Sequence, residues 1–410
     1  MKHLKSTVAG LGLLFASTLM AQADCGIEKG SVRVLSNDFE ALRVVGGAVK
    51  ECASGTVSVE LDQTTEHKAI QVPALTTNPA AYTVAVVATN SIVPLLGEDL
   101  IRPLDEYVEK WGQDLLPQQL IKVNGKVMAI AFLANGQHLY YRDDILSENG
   151  IEPPQTFDEI LAASRKLRDA GVMDAPFGTE YLPGWGLAAE FINAYLGTGA
   201  DFFEPGSAKL AISGEAGVET LERMKAFTEY MRHDYSTDDS STLIPLWKEG
   251  ELAMMFAWGS RARELMDPES NPTADVTRVA AMPAAVEGGV PAAALWWDGF
   301  SIARNVSDED AEASFRAMVH GIRPEMAKEH RDVAVWLVKG YEPTKTAEGV
   351  AANIAAGARP YPMLPYMGFL HSALGENLGD YMQGLESAEQ ALADVEAAYS
   401  AAARESGYLK

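Results

Sequence analysis

Tryptophan and tyrosine side chains recur beside turn-forming and polar residues, at the ends of apolar segments. The stretches are "EYLPGWG", "MMFAWGS", "LWWDGF" and "ARPYPMLPYM". An aromatic ring at the edge of a pocket can lie against the apolar C–H face of a pyranose or polyol, while Asp, Glu, Asn, Gln or Arg side chains hydrogen-bond to its hydroxyl groups. One tryptophan alone fits a core position equally well, but the set favours a site for a polyhydroxylated ligand. The aromatic candidates are Tyr181, Trp185, Trp258, Trp296, Trp297 and Tyr361.

The stretch "LWWDGF" places two of the seven tryptophans side by side. Neighbouring side chains of a β-strand point to opposite faces of the sheet. Trp296 and Trp297 therefore cannot both enter one core if the stretch is a strand. One of the two is expected to face a site or another part of the molecule.

Motifs of common catalytic sites are missing from the sequence. It contains no HExxH motif and no Walker-type phosphate loop, and its seven histidines lack metal-ligand spacing. "GFSIA" differs from the GxSxG nucleophile motif at Ala303, and the next predicted helix starts only near Ser307, so Ser301 is interpreted as a strand residue. The acidic loop "DYSTDDSS" lacks EF-hand spacing. We predict no cofactor and no metal; a carboxylate pair for glycoside hydrolysis stays open, because 57 acidic residues allow many pairs.

The first 23 residues have the pattern of a secretory signal peptide. Lys2 and Lys5 precede the apolar run "VAGLGLLFASTLM", which is too short to span a bilayer, and "AQA" forms a cleavage site before Asp24. Cys25 follows closely, but a lipid-modified cysteine needs a small residue before it and Asp24 is not small. These features predict a soluble exported protein.

The chain contains two cysteines, Cys25 and Cys52, 27 positions apart. In an exported protein such a pair suggests one disulfide. It would join the new N-terminus to the end of the first predicted helix and stabilise the fold by about 3–4 kcal/mol in the chain-entropy model. Two separate buried thiols are the alternative.

Length and charge limit the classes of partner. Removal of residues 1–23 leaves 387 residues (410 − 23), enough for two domains, and changes the net charge from −24 to −26 because two lysines are lost. Such an excess of acid argues against nucleic acid and anionic membrane surfaces, which are bound through Lys and Arg. It also keeps copies of the chain apart, and we expect a monomer.

Strand and helix patterns alternate along the chain, which predicts an α/β fold with mostly parallel sheets. A helix follows "SVRVLS" with Asn37 or Asp38 as its cap, and a second helix begins at Thr156 in a capping box with Glu159. Further predicted strands cover 56–62, 82–88, 126–134 and 138–142, and further predicted helices cover 215–232 and 386–405.

Several segments in order resemble one protein family. They are "NGKVMAIAFLANGQHLYYRDDILSENGIEPPQTFDEILAASRKL", "LWKEGELAMMFAWGS", "AAMPAAVEGGVPAAALWWDGFSIARNVSDEDAEASF" and the proline-rich "ARPYPMLPYM". The chain is similar here to the periplasmic solute-binding proteins of carbohydrate ABC importers, the group that includes maltose-binding protein. The resemblance covers nearly the whole chain after residue 23.

The resemblance implies two α/β lobes that close over a ligand by hinge bending. The chain would cross between the lobes near Ala134, Leu295 and Tyr341, so each lobe is discontinuous. The N-terminal lobe would comprise residues 24–134 plus 296–340, and the C-terminal lobe residues 135–295 plus 341–410.

The resemblance also implies which residues face the ligand, because loops after the strands of open α/β sheets line the cleft. At the second crossing, one face of the strand packs on a lobe and the other faces the cleft. We assign Trp297 to the ligand with Asp298 beside it, and Trp296 to packing; the reverse stays open, because strand phase cannot be read from two identical residues. The other candidates are Asn37, Asp38, Phe39, Glu40, Arg43, Asn90, Asn135, Gln137, Glu180, Tyr181, Trp185, Trp258, Arg359 and Tyr361.

The implied function is capture of a small carbohydrate or polyol in the periplasm and delivery to inner-membrane ABC permease subunits, without catalysis. One alternative is a charged solute such as an opine, a polyamine or an organophosphate, with Arg43 and Arg359 as charge partners. The other is a secreted glycoside hydrolase with a carboxylate pair. The sequence leaves the ligand and its charge open.

Overall fold

The computed structural model describes residues 25–64 and 66–410. The predicted signal peptide, residues 1–23, lies outside the described residues. In the part of the chain that is described, no helix has the length and apolar character needed to cross a membrane.

The described residues form two separate β-sheets. The strands are β1 (Gly30–Ser36), β2 (Val57–Gln63), β3 (Val84–Ala88), β4 (Leu120–Val123), β5 (Lys126–Asn135), β6 (Gln137–Arg142), β7 (Phe177–Gly178), β8 (Met254–Trp258), β9 (Thr277–Ala280), β10 (Trp296–Ile302) and β11 (Val335–Trp336). The first sheet has the order β11-β5-β10-β3-β1-β2, with β4 also paired to β5, and the second has the order β7-β8-β6-β9.

Sixteen α-helices in the described residues cover these sheets. They are α1 (Glu40–Lys50), α2 (His67–Thr76), α3 (Ile92–Gly97), α4 (Asp105–Trp111), α5 (Asp143–Glu148), α6 (Phe157–Asp169), α7 (Trp185–Gly197), α8 (Glu215–Phe227), α9 (Ser240–Glu249), α10 (Ala262–Met266), α11 (Asp308–Gly321), α12 (Pro324–Glu329), α13 (Glu348–Ala355), α14 (Met367–Asn377), α15 (Gly379–Gln383) and α16 (Ala388–Glu405).

Each sheet has its own apolar core, and we name each sheet with its helices a lobe. The first-lobe core draws its buried side chains from segments 32–133 and 297–338. The second-lobe cores draw theirs from segments 139–294 and 361–403. The two-lobe α/β fold with discontinuous lobes is therefore confirmed, while the exact lobe boundaries stay predictions.

The expectation of mostly parallel sheets is wrong. Strand pairing is parallel for β1–β2, β1–β3 and β7–β8. It is antiparallel for the pairs that β5 makes with β4, β10 and β11, for β3–β10, and for the pairs of β6 with β8 and β9. The reason is that β5 and β10 run past each other in opposite directions where the chain passes between the lobes.

The chain leaves the first sheet and enters the second within one residue. Strand β5 ends at Asn135 and β6 begins at Gln137, so Gly136 lies between the sheets. A side chain at Gly136 would approach the Ala294 carbonyl oxygen within 3.3 Å, which leaves little space for any larger residue.

Helix caps show where local sequence determines local structure. The Thr156 hydroxyl accepts from the Glu159 N–H at 3.2 Å, as predicted for the start of α6. The predicted cap of α1 at Asn37 or Asp38 is wrong, because α1 begins later, at Glu40, with Phe39 as a cap that makes no side-chain hydrogen bond. Asn37 instead accepts from the Asp38 N–H at 2.9 Å.

Cys25 and Cys52 form the predicted disulfide, with Cα atoms 5.5 Å apart. The bond joins the segment before β1 to the end of α1, and Cys52 packs in the first-lobe core. It closes a loop over a sequence separation of 27 and so restricts the unfolded chain.

We expect the double variant C25A/C52A to lower the free energy of unfolding by about 3–4 kcal/mol, the value for closing a loop of this length. Urea unfolding with and without dithiothreitol measures the loss. The reductant should destabilise the wild-type protein by a similar amount and leave the variant unchanged. A loss below about 1 kcal/mol would contradict the prediction.

Candidate functional site

Three tryptophans from different elements meet at the interlobe edge of the second lobe. Trp185 is the first residue of α7, Trp258 the last of β8, and Trp296 the first of β10. Their ring centroids lie 5.7 Å (Trp185–Trp258), 6.0 Å (Trp185–Trp296) and 6.3 Å (Trp258–Trp296) apart. The rings therefore touch and form one continuous aromatic surface, which we name the tryptophan cluster. Trp185 keeps 49% of its surface exposed.

Two further aromatic rings stack on the tryptophan cluster. The Tyr361 ring stacks on Trp296 with centroids 4.2 Å apart, and the His371 ring stacks on Trp185 at 5.0 Å. The Tyr361 hydroxyl lies 3.1 Å from His371 Nδ1, and His371 Nε2 lies 3.1 Å from the Trp185 carbonyl oxygen.

Burial lowers the pKa of His371 to about 4, so the imidazole is neutral at neutral pH. A carbonyl oxygen only accepts, which places the single ring proton on Nε2, and Nδ1 then accepts from the Tyr361 hydroxyl. His371 was not among the sequence candidates, since a histidine within a helix carries no local signal of this role.

The structure reverses the assignment of the two adjacent tryptophans. Trp297 is 8% exposed and packs in the first-lobe core, and its backbone N–H donates to the Thr89 hydroxyl at 3.1 Å. Trp296 faces the other way and packs against the second lobe. The alternation along β10 explains the result, because Trp296 and Asp298 share one face while Trp297 lies on the opposite face.

Asp298 is the carboxylate nearest to the tryptophan cluster along β10. It lines a cavity of about 480 Å³ between the lobes. Burial raises the pKa of Asp298 to about 7, and the charge of Lys68 at the start of α2 opposes this rise. Lys68 also lowers the pKa of His371, so this first-lobe cation lies near the second-lobe face of the cleft.

Both lobes contribute to that cavity. Its first-lobe lining includes Asn37, Phe39, Glu40, Asp298 and Asp332, and its second-lobe lining includes Ser260, Arg261, Arg263 and Thr346, with Asn135 at the passage between the lobes. A second cavity of about 290 Å³ brings Asn90, Val93 and Pro94 of the first lobe opposite Trp185, Tyr361 and His371. The side-chain oxygen of Asn90 is buried and has no hydrogen-bond partner among the described residues.

Four other predicted site residues serve the fold rather than either cavity. Tyr181 is buried, and its hydroxyl donates to the Met224 carbonyl oxygen at 2.9 Å. Arg359 donates to the Ala200 carbonyl oxygen at 2.7 Å and pairs with Asp201. The remaining two, Asp38 and Arg43, pair with each other at 2.6 Å in exposed positions. These side chains are already engaged, which the sequence does not reveal.

Glu180 supports the tryptophan cluster from inside the second lobe. The carboxylate is buried, accepts from the Ser240 hydroxyl, and forms a side-chain hydrogen bond with Trp258. Burial raises the pKa of Glu180. Its position indicates a role in orienting Trp258.

Gln137 lies in a buried polar network rather than in the cleft. Its amide nitrogen donates to Glu190 at 2.6 Å, and its side-chain oxygen accepts from Asn193 at 2.9 Å. Asn193 accepts from the Ala294 N–H at 2.8 Å, and Asn353 donates to the Gln137 carbonyl oxygen at 2.7 Å. The network thus connects the start of β6, the segment before β10 and helix α13 within the second lobe.

The "GFSIA" stretch and the acidic loop both have structural explanations. Ser301 is fully buried in β10, and its hydroxyl donates to the Met128 carbonyl oxygen at 2.9 Å. In the acidic loop, Asp239 caps α9 by accepting from the Ser241 and Thr242 N–H groups. Neither pattern forms part of the cavities described above.

The chain matches a known protein family. Residues 55–318 match the family model of the bacterial extracellular solute-binding proteins, which is well over half of the chain. A curated relative from Deinococcus radiodurans, described as a probable ABC transporter-binding protein, is 28% identical over 192 residues. That alignment covers 45% of this chain and 44% of the relative, so the chain matches less than half of the relative's length.

Solved structures with the same fold cover nearly the whole chain. Maltose-bound MalE3 of T. maritima has a TM-score of 0.72 at 19% identity, covering 90% of this chain and 98% of its own. An Agrobacterium radiobacter K84 solute-binding protein with ribitol has a TM-score of 0.72 at 18% identity, covering 90% and 97%. An Agrobacterium vitis S4 protein with D-mannitol has a TM-score of 0.69 at 18% identity, covering 93% and 100%. At these identities the likeness establishes the fold.

The reversed tryptophan positions generate a stability prediction. We expect W297A to lower the free energy of unfolding by about 3–5 kcal/mol, the loss for deleting a buried aromatic side chain. W296A should cost no more than about half of that, because its ring is half-buried. Urea unfolding of both variants measures the difference. Equal losses, or a larger loss for W296A, would show that the assignment of core and cleft is wrong.

The buried network generates a pH prediction. Burial, and then the neighbouring Glu180, raise the pKa of Glu190 from 4.5 to about 8. The folded protein thus keeps a proton that the unfolded chain releases, so stability from this group is full below about pH 4.5 and is lost as the pH rises through about 8. Glu190→Gln should remove this loss, since the glutamine oxygen still accepts from Gln137.

Urea unfolding at about pH 5 and about pH 8.5 tests the Glu190 prediction. Between these two pH values, the decrease in unfolding free energy should be smaller in E190Q than in the wild type by on the order of 4 kcal/mol. Titrating groups that do not interact with Glu190 contribute alike to both proteins and cancel. An unchanged pH dependence in E190Q would mean that Glu190 is ionised in the folded protein.

Proposed function

The chain belongs to the bacterial extracellular solute-binding proteins, and from this premise we propose that it captures a small carbohydrate or polyol in the interlobe cleft. We propose further that it delivers this ligand to the permease of an ABC importer. The observation that carries the proposal is the tryptophan cluster beside Asp298 at the cleft.

The geometry of the cluster favours a flat apolar ligand face. Its rings are in mutual contact, with centroids 5.7 to 6.3 Å apart, and Trp185 leaves half of its surface uncovered. A cage for an ammonium group needs rings on different sides of the cation. Rings that touch leave no room between them, so the cluster offers a platform, which suits the C–H face of a sugar or polyol better than a cation.

Polar groups for hydroxyl recognition lie in both cavities. Asp298 lines the larger cavity, and the unpartnered Asn90 oxygen lies at the smaller one. A buried acceptor without a partner is costly, and a ligand hydroxyl would relieve that cost. Ligands without a hydroxyl group there are rejected for the same reason.

The charge pattern supports a neutral ligand over an anion. Arg43 and Arg359, the charge partners expected for an anionic solute, pair with Asp38 and Asp201. The larger cavity has three carboxylates, Glu40, Asp298 and Asp332, against Arg261 and Arg263. An organophosphate would meet these carboxylates, which repel an anion, whereas a ligand hydroxyl group can donate to Asp298.

Location and mechanism follow the family. The family is extracellular, and the pattern of residues 1–23 supports export to the periplasm. The neighbours bind maltose, ribitol and D-mannitol in the same fold. Affinity would come from closure of the lobes over the ligand, without covalent chemistry, and release to the permease would follow from reopening.

A panel of neutral monosaccharides, polyols and disaccharides in a thermal unfolding assay tests the proposal. We expect one chemical class to raise Tm, because a ligand that binds only the folded protein adds about 2.7 kcal/mol at a free concentration one hundred times Kd. Glycosides in the panel are also analysed for hydrolysis products. Failure of every sugar and polyol to raise Tm, or turnover of a glycoside, would overturn the proposal.

Variants show whether binding uses the tryptophan cluster. Trp296→Ala and Asp298→Asn should each weaken binding of the stabilising ligand by about tenfold or more, or about 1.4 kcal/mol, while the protein stays folded. The matched control is Trp111→Ala, which removes a half-buried tryptophan of α4 in the first lobe, outside both cavities described above. Isothermal titration calorimetry gives the three affinities. Equal effects of all three variants would contradict the assigned site.

A further inference from the structure

One side chain joins the two lobes across the cleft. Among the ion pairs of the described residues, only those of Arg263 connect the lobes, and every other pair lies within one lobe. Arg263 of α10 in the second lobe pairs with Glu40, the first residue of α1 in the first lobe. Its Nε also lies 3.8 Å from the Asp332 carboxylate, which precedes β11 in the first lobe.

The three side chains lie at the mouth of the larger cavity. Glu40, Arg263 and Asp332 all line it, and their side chains are 55%, 47% and 54% exposed. They are therefore positioned between the cavity and solvent. Glu40 also lies at the N-terminus of α1, where the helix dipole favours a negative charge in that position.

Opening of the lobes must break these pairs and leaves the others intact, because only these have partners on different lobes. An exposed ion pair contributes little to folding. The open and closed forms, however, are two folded states that differ in few contacts. The free energy of one exposed ion pair therefore changes the ratio of closed to open molecules several-fold. An exposed pair is also screened by salt.

We propose that Glu40, Arg263 and Asp332 form an electrostatic latch that favours the closed form, with Arg263 as the affinity-determining residue that acts through closure. The latch makes closure, and with it the affinity for an uncharged ligand, decrease as ionic strength rises. It depends on the two-lobe fold, and only its effect on affinity rests on the proposed function.

The closed fraction is measured first without any ligand. Nitroxide labels at Glu109→Cys on α4 and Asp169→Cys on α6 report the distance between lobes by pulsed electron paramagnetic resonance. The two native cysteines are bonded to each other, so the introduced cysteines are the reactive ones. Spectra are compared at about 0.01 M and about 1 M salt, where the Debye length falls from roughly 30 Å to roughly 3 Å.

We expect the closed-to-open ratio of the wild type to fall about two- to fivefold at high salt, the range for one exposed ion pair. Arg263→Gln should show, at both salt concentrations, the low closed-to-open ratio that the wild type has only at high salt. Arg263→Lys keeps the charge and should retain most of the wild-type ratio and its salt response. The matched control is Lys209→Gln, which removes an exposed cation paired with Glu204 inside the second lobe and should behave as the wild type.

Several outcomes overturn the latch. They are a wild type that is open at both salt concentrations, an R263Q variant with the wild-type ratio and salt response, and a K209Q variant that changes as much as R263Q does. The last would indicate a general effect of net charge. None of these measurements uses a ligand, so they stay informative even if no sugar or polyol binds.

The effect on affinity is measured next, with the sugar or polyol that raises Tm most. Its Kd should increase in R263Q at low salt by the same factor as the closed fraction falls, since affinity scales with the closed fraction. Loss of closure without a change in Kd would mean that this ligand does not bind by closure and would overturn the link between latch and affinity.

Discussion

The alternation of side chains along β10 is the constraint on which the candidate site depends. The strand belongs to the first sheet, and its first residues also reach the second lobe. One face must therefore complete the first-lobe core, which takes Trp297, and the other must face the cleft and the second lobe, which takes Trp296 and Asp298. A shift of one residue would exchange the two faces, so that Asp298 would turn from the cleft toward the first-lobe core.

The polar contacts of the interlobe region differ in stability according to their burial. Gln137, Glu190, Asn193 and Asn353 are buried and hydrogen-bonded to one another or to the backbone. Breaking any of these bonds leaves an unpaired group in a low dielectric, which is costly. The second-lobe ends of the chain passages are thus held rigidly. We expect bending in the short segments between the sheets, such as Gly136.

The sequence predicts the fold better than the site, and particular residues show why. Helix caps such as Thr156 and the disulfide depend on local or pairwise rules, and both are found. Which of the residues at segment ends bind a ligand stays a prediction, because the direction of each side chain depends on packing. Tyr181 and Arg359 therefore lie away from the cleft despite their suitable types. His371 and Arg263 act through partners 186 and 223 positions away, respectively, and no local pattern indicates such contacts.

A two-lobe binding protein needs stable contacts where the chain passes between the lobes and weak contacts across the opening of the cleft. A ligand shifts the balance between open and closed forms only by its differential affinity for the two, so closure without ligand must differ little in free energy from opening. Buried hydrogen bonds across the cleft would exceed that limit, whereas the exposed pairs of Arg263 stay within it. The distribution of polar contacts between a buried network at the chain passages and an exposed latch at the cavity mouth therefore follows from the need for reversible capture.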